Sequence, residues 1–327
     1  MTSAAAMAMA LPKTANAAEV TESDVTIQTP DGETDAYFVH PASGSHPGVI
    51  VWPDILGLRP GFRVMGKRLA ESGYAVLVVN PYYRMAKAPV VEPGESFQDE
   101  STRAKVLPMA RALTPETNVT DARAFVGWLD SQAAVDTTRP IGTTGYCMGG
   151  PMTMRTAAAI PDRIGAGASF HGGRLATDSP DSPHLLVPTT NASFLFAIAE
   201  NDDEREPVSK NILRQSFDAA GLDAEIEVYE GAMHGWCAID SRVYHEAQAE
   251  RAWSRLLELF ERLPDLKPQE VVVMAPDIDA YAPLVEAVFG AAPPRRHIPW
   301  SVADRREGAG RPVLQSLLTL LELPRSR

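Results

Sequence analysis

The peptide Gly145-Tyr146-Cys147-Met148-Gly149 places a cysteine between two glycines, directly after an apolar segment. A G-x-nucleophile-x-G sequence between a strand and a helix permits a tight turn that exposes the central side chain, because a Cβ at either glycine would clash. The following helix N-terminus would favour a thiolate at Cys147, and the amide of Met148 would point at a developing oxyanion. The pattern predicts covalent catalysis by cysteine; the alternative is a buried structural cysteine beside a glycine turn.

A carboxylate and a histidine follow the cysteine in the order nucleophile, acid, histidine. One predicted strand, 193–198, leads into a segment with Asp202 and Asp203, and the next leads to His234 in a glycine-bounded loop. A histidine can exchange protons near neutral pH, while an acid fixes its tautomer and stabilises its imidazolium. Either aspartate could instead be a solvated acid or a helix cap, and His234 could be a polar loop residue. His171, at another predicted strand end, is the reserve candidate for the base.

Composition restricts the function classes that these residues could serve. The chain has 327 residues, 45% hydrophobic and 22% charged, which is ordinary for one large or two modest folded domains. Its net charge of −12 disfavours nucleic-acid backbones and anionic membranes and favours a small-molecule partner. Two cysteines without CxxC spacing support neither a disulfide scaffold nor a cysteine-rich zinc site. No apolar run approaches the roughly 18 residues of a membrane-spanning helix.

The elements that must position the candidate residues form an alternating pattern. Short apolar or β-branched runs alternate with amphipathic stretches from Val25 onward, which predicts an α/β fold with a mostly parallel central sheet flanked by helices. Predicted strands are 25–28, 35–40, 48–52, 75–79, 140–144, 165–170, 193–198 and 225–229, and predicted helices are 63–72, 119–132, 209–220 and 245–263. Residues 83–114, rich in proline and charge, are predicted to cross the sheet irregularly. The strand ends place the candidate residues at one sheet edge.

The N-terminal segment 1–24 is rich in alanine and methionine. It contains Ala15-Asn16-Ala17, which is typical of the cleavage site of an export signal, but no basic n-region. A remnant of a twin-arginine signal and a disordered alanine-rich tail are both open interpretations. A truncated twin-arginine signal would indicate a periplasmic protein. The sequence as given predicts a cytoplasmic protein.

Residues 25–263 resemble the dienelactone hydrolase family of α/β-hydrolases. The resemblance rests on G-Y-C-M-G-G at 145–150, E-N-D-D at 200–203 and G-A-M-H-G-W at 231–236. It implies an α/β-hydrolase fold and cleavage of small carboxylic esters or lactones, with no metal or organic cofactor. It also implies that Cys147 is the nucleophile, forming a thioester acyl-enzyme, with His234 as base and Asp202 as orienting acid. Asp203, one residue away, is the alternative acid.

The same resemblance assigns roles around the nucleophile. The amides of Ile55 and Met148 would form the oxyanion hole. Asp54 replaces a family glutamate that contacts the resting thiol, although it could simply begin a turn after a proline. Trp52 and Trp236 could line an apolar substrate pocket, or they could belong to the core.

Two arginine positions bear on the substrate. Arg84 approximately matches a family arginine that grips the substrate carboxylate, but Ala238 occupies the position of the second such arginine. This departure weakens the case for dienelactone itself. It leaves a general carboxylesterase as the alternative within enzymes, and a non-catalytic binding protein as an alternative of another class.

The C-terminal segment 268–327 resembles a fragment of the gamma chain of bacterial exodeoxyribonuclease V. The segment has seven arginines and seven acidic residues, so the net charge of −12 belongs to the rest of the chain. Sixty residues from inside a larger subunit rarely bury enough surface to fold alone, so we expect a weakly structured appended tail, with a strand-like run at 271–274 and a helix-like run at 313–323. A DNA-repair subunit is the rival function that this tail suggests, and the acidic remainder of the chain argues against nucleic-acid binding. The sequence predicts no oligomeric state.

Overall fold

An eight-stranded sheet forms the centre of the computed structural model, in the order β1-β2-β4-β3-β5-β6-β7-β8. The pairs β1–β2 and β2–β4 are antiparallel, and every other neighbouring pair is parallel. The strands are β1 Val20–Thr29, β2 Gly32–Pro41, β3 Gly48–Trp52, β4 Ala75–Val79, β5 Ile141–Tyr146, β6 Ile164–Phe170, β7 Ser193–Ala199 and β8 Ala224–Tyr229. The predicted α/β fold with a mostly parallel sheet is confirmed.

Helices cover both faces of this sheet. They are α1 Pro60–Glu71, α2 Glu100–Arg111, α3 Pro115–Asp130, α4 Gly149–Ala159, α5 Glu200–Arg205, α6 Ser209–Ala220 and α7 Glu246–Glu261, with a 3-10 helix at Pro183–Thr189. Successive strand residues point to opposite faces. In β3, Val49 and Val51 therefore pack in the core beneath α1 and α7, whereas Ile50 and Trp52 pack in the core beneath α3, α4 and α6.

The structure describes residues 17–261 and 282–283, and the chain divides into two units, Met1–Leu263 and Pro264–Arg327. The predictions for residues 1–16, and almost all of those for 268–327, lie outside the described residues. No helix within the described ranges has both the length and the apolar character needed to cross a bilayer.

Local differences from the sequence predictions have physical causes. Segment 83–114 is not irregular throughout, because it contains α2, whose weak pattern reflects an internal proline and only Thr102 and Val106 as buried residues. Strand β1 begins at Val20 instead of Val25, because pairing with β2 carries an exposed, polar sequence into the sheet. The predicted acidic loop 200–203 is the first turn of the short helix α5.

Candidate active site

Cys147 occupies the turn between β5 and α4 with a positive φ of 54° and a partly exposed side chain. A Cβ on Gly145 would lie 2.1 Å from the carbonyl oxygen of Gly149, and a Cβ on Gly149 would lie 2.3 Å from that of Trp52. Both neighbours are backbone atoms that cannot swing aside. The turn therefore requires glycine at both positions, and it holds the cysteine in a left-handed conformation that costs about 1–3 kcal/mol.

The acid and the histidine come from adjacent parallel strands. Helix α5 begins directly after β7, and the loop 231–245 follows β8. Four hydrogen bonds join them. Glu200 N donates to the Ala232 carbonyl at 2.9 Å and Gly231 N to Glu200 Oε2 at 2.8 Å. His234 N donates to Asn201 Oδ1 at 2.8 Å, and His234 Nδ1 pairs with Asp202 Oδ2 at 2.6 Å. The backbone and the ring of His234 are thus both held by α5.

The two neighbouring aspartates have different partners. Asp202 binds His234, whereas Asp203 accepts a hydrogen bond of 2.5 Å from Lys210 Nζ on α6. Consecutive helical residues point in different directions, so only one of them can face the histidine. The structure brings Asp202, and not the alternative Asp203, to the imidazole.

Cys147 and Asp202 both act on the His234 ring. Burial on its own would lower the pKa of His234, but the hydrogen bond with Asp202 and the contact with the Cys147 sulfur outweigh it and raise this pKa to about 10. The raised pKa keeps the His234 ring protonated at neutral pH.

His171, the reserve candidate, lies behind His234. Its ring centroid is 5.0 Å from that of His234 and 5.1 Å from that of Trp236, and it is 1% exposed. Neither ring nitrogen has a partner among the described residues. Burial and the neighbouring His234 hold the pKa of His171 well below its usual range, so it is a neutral ring that packs against the candidate base.

Ile55 and Met148, the predicted oxyanion amides, are linked by a residue that the sequence reasoning did not assign. Tyr82 donates from its hydroxyl to the Ile55 carbonyl at 2.8 Å and lies 3.4 Å from Met148 Sδ. Within the described residues, neither the Ile55 nor the Met148 amide donates to a protein acceptor outside regular elements, which leaves both N–H groups available. Burial raises the pKa of Tyr82, so its hydroxyl stays protonated and donates.

The Asp54 carboxylate is hydrogen-bonded on both oxygens in this structure. Its two carboxylate oxygens accept hydrogen bonds of 2.7 and 3.0 Å from Arg59, and one also accepts from Leu56 N at 2.9 Å. The carboxylate therefore stabilises the turn that follows β3, as the alternative sequence interpretation allowed.

Arg84 is paired with two carboxylates in this structure. Its guanidinium binds Asp31 and Asp121 with hydrogen bonds of 2.6–3.0 Å and stacks on Tyr83. These partners are 53 and 37 residues away in sequence, so local spacing could not reveal them.

The tryptophans proposed to line the substrate pocket are core residues. Trp52 is 1% exposed and Trp236 is 0% exposed, and they lie in the cores on opposite faces of the sheet. Neither side chain has a surface that is accessible to a substrate. The Trp236 ring packs against the His171 ring.

The site thus combines a partly exposed cysteine, an imidazole aligned by a carboxylate, and two available amides. These are the groups that acyl transfer through a covalent intermediate requires. In the ranges that the structure describes, no group of three or more His, Cys, Asp and Glu is arranged to hold a metal ion.

The sequence and the fold of this chain are similar to those of known proteins. Residues 34–263 match the sequence profile of the dienelactone hydrolase family. A Salmonella typhi protein named for carboxymethylenebutenolidase activity is 30% identical over 253 residues, covering 72% of this chain and 90% of the relative. Carboxymethylenebutenolidase of Rhodococcus opacus is 27% identical over 255 residues, covering 76% and 95%. A crystal structure from Klebsiella pneumoniae, named as a dienelactone hydrolase, has a TM-score of 0.64 at 24% identity over 75% of this chain and 99% of that one.

A second, shorter similarity concerns a different protein. The RecBCD enzyme subunit RecC of Escherichia coli is 42% identical over 92 residues, which cover 28% of this chain and 8% of RecC. The predicted nuclease-subunit resemblance is confirmed as a partial match of this extent.

Proposed function

This chain belongs to the dienelactone hydrolase family and is an ester or lactone hydrolase, and from that premise we propose a mechanism in which Cys147 is the nucleophile, His234 the acid and base, and Asp202 the orienting acid. The observation that carries the proposal is the 2.6 Å hydrogen bond between Asp202 and a His234 ring that also contacts the Cys147 sulfur. The substrates are small carboxylic esters or lactones.

Acylation begins when the Cys147 thiolate attacks the carbonyl carbon. The carbonyl π electrons move to oxygen, and the amides of Ile55 and Met148 stabilise the oxyanion. Collapse of the tetrahedral intermediate breaks the ester C–O bond, and the His234 imidazolium gives its proton to the leaving alkoxide. The products are a thioester on Cys147 and an alcohol, which stays tethered to the acyl group when the substrate is a lactone.

Deacylation reverses the direction of proton transfer. Neutral His234 takes a proton from water as the oxygen attacks the thioester carbonyl, and the same amides bind the second oxyanion. Expulsion of the thiolate releases the carboxylic acid and restores the pair of Cys147 and protonated His234. Asp202 keeps Nδ1 protonated throughout, so that Nε2 can act on the reacting groups.

The test is hydrolysis of a neutral aryl acetate by the full chain beside Cys147→Ala. We expect turnover in the wild type, acetylation of Cys147 detectable by mass spectrometry in a rapid quench, and neither in the variant. Turnover that survives in Cys147→Ala would contradict the proposed mechanism.

A specific observation favours neutral esters over dienelactone as substrates. Arg84 is occupied by Asp31 and Asp121, and Ala238 provides no charge at the second arginine position of the family. A substrate carboxylate would therefore meet neither of the two cations that the family resemblance assigns to it. We expect a higher kcat/KM for the aryl acetate than for a dienelactone, and the reverse order would show that an anion site exists.

A further inference from the structure

Arg59 connects two distant loops of the candidate site through a buried guanidinium. Its side chain is 6% exposed and lies at the start of α1. It donates to both oxygens of Asp54, at 2.7 and 3.0 Å, and to both oxygens of Asp240, each at 2.8 Å. Asp240 is 181 residues away in sequence, so this pairing is visible only in the fold.

Each carboxylate belongs to a loop that carries part of the proposed chemistry. Asp54 directly precedes Ile55, and besides binding Arg59 it accepts from Leu56 N at 2.9 Å, so its carboxylate fixes the turn that presents the Ile55 amide. Asp240 lies in the loop 231–245 that carries His234. We name residues 52–57 the oxyanion loop and residues 231–245 the histidine loop.

The pocket that receives Asp240 is built into α1. A Cβ on Gly61 would lie 2.5 Å from the Asp240 carboxyl carbon, so the carboxylate rests directly on the first turn of the helix. That position is favourable for an anion because the helix N-terminus carries a partial positive charge. Two carboxylates around one cation would otherwise leave excess negative charge in a buried site.

Bidentate pairing makes the connection directional. The planar guanidinium can serve two carboxylates in fixed orientations at once, which a lysine ammonium cannot do. Burying these charges costs desolvation free energy, which is offset only when both ion pairs are formed. The two loops are therefore held in one relative arrangement.

We propose that Arg59 is a positioning residue that locks the oxyanion loop against the histidine loop, so that the Ile55 amide and the His234 ring address the same carbonyl. The inference rests on the proposed function. It also gives Asp54 a role different from the thiol contact implied by family resemblance, since its carboxylate acts through Arg59. His234 itself stays anchored to α5 by Asn201 and Asp202, so loss of Arg59 releases chiefly the oxyanion loop.

Arg59→Lys in the full chain tests this role, with Arg68→Lys as the matched control. Arg68 lies on the same helix, is 8% exposed and binds Glu250 with two hydrogen bonds of 2.6 Å, away from the candidate site. We expect Arg59→Lys to lower kcat for the aryl acetate by roughly 10- to 100-fold, because small misplacements of reacting groups have effects of that size. KM should stay within about twofold, and Arg68→Lys should keep kcat.

A second readout separates the oxyanion loop from the nucleophile. Iodoacetamide alkylates Cys147 by direct displacement of iodide and forms no oxyanion, and Cys237 is buried. The alkylation rate of Arg59→Lys should therefore equal that of the wild type while ester turnover falls. If Arg59→Lys does not fold, Asp240→Asn carries the same test, because it removes only the connection to the histidine loop.

The outcomes distinguish the two proposals. Undiminished kcat in Arg59→Lys or Asp240→Asn, beside an inactive Cys147→Ala, would overturn the positioning role alone. Parallel loss of alkylation and turnover would also overturn it, since the defect would then lie in the nucleophile. Turnover that persists in Cys147→Ala would overturn the proposed function and this inference with it.

Discussion

Replacing Asp202 with asparagine should lower the pKa of His234 and move the alkaline limit of activity to lower pH. Burial pulls this pKa down, while the Asp202 hydrogen bond and the Cys147 contact push it up, from 6.5 to about 10. The variant removes the carboxylate and keeps the shape of the side chain, so burial is opposed by Cys147 alone.

The size of the effect follows from the same values. A rise from 6.5 to about 10 corresponds to roughly 5 kcal/mol in favour of the protonated ring, at about 1.36 kcal/mol per pKa unit. One third of the His234 side chain is exposed, so solvent screening reduces this free energy to roughly half. Burial already offsets part of their effect, so Asp202 and Cys147 together contribute at least the remainder, and with an equal share the loss of Asp202 should lower the pKa of His234 by at least about one unit.

The direction of the pH effect follows from the protonated state. A raised pKa means that the imidazolium stabilises the fold fully below pH 6.5 and that this contribution is lost as the pH rises through about 10. Turnover should disappear over the same upper range, because His234 must protonate the leaving alkoxide. We expect the alkaline limb of kcat/KM, which reports the free enzyme, to lie at least about one pH unit lower in Asp202→Asn than in the wild type. The overall kcat should also fall, by up to about 10⁴-fold, because the amide favours the wrong tautomer.

The assay is the pH profile of aryl acetate hydrolysis, combined with an NMR titration of the His234 ring. Asp203→Asn is the matched control: the Asp203 carboxylate binds Lys210 and not His234, so this variant should keep the alkaline limb at its wild-type position. An unchanged limb in Asp202→Asn, or a shift in Asp203→Asn instead, would refute the reasoning.

Three further substitutions probe the surroundings of the site, and a fourth, Gly127→Ala, is a control. Gly149→Ala places a Cβ 2.3 Å from a backbone oxygen and should lower the free energy of unfolding in urea by at least about 3 kcal/mol. A Cβ on Gly127 meets nothing within 4 Å, so Gly127→Ala should raise the same free energy by up to about 1 kcal/mol. Tyr82→Phe removes the hydroxyl that holds the Ile55 carbonyl, so kcat should fall about tenfold with KM unchanged, and a changed KM alone would contradict this role. Arg84→Met should destabilise the protein by about 3–5 kcal/mol, because Asp121 is 3% exposed and loses its cation, while the KM ratio of dienelactone to aryl acetate stays constant. A selective rise in the dienelactone KM would restore the predicted carboxylate grip.

The sheet could be predicted because its central strands are continuous apolar runs. The predicted bounds of β3 and β4 agree with the structure, since all of their residues are buried and turn residues flank them. Helix α2 could not be predicted in the same way, because it lies over the surface, buries few residues and contains Pro108.

Candidate site residues were predictable where the chemistry is local in sequence. The turn around Cys147 and the loop around His234 carry their own glycines, and strand order places them at one sheet edge. Residues that act through distant partners left no such signal. The ion pairs of Arg84 with Asp31 and Asp121 could not be predicted from local spacing, and Arg59 and Asp240 were not predicted as site residues because their pairing spans 181 positions.

The order of the strands also has a consequence for synthesis of the protein. Cys147 directly follows β5, which lies inside the sheet, whereas Asp202 and His234 follow β7 and β8, and β8 is the outermost strand on that side. Chains leave the ribosome from the N-terminus at about 5–20 residues per second. A nascent chain therefore carries its cysteine for several seconds before the acid and the imidazole emerge. In the proposed mechanism, Cys147 therefore meets its activating histidine only after the last strand has docked on the sheet.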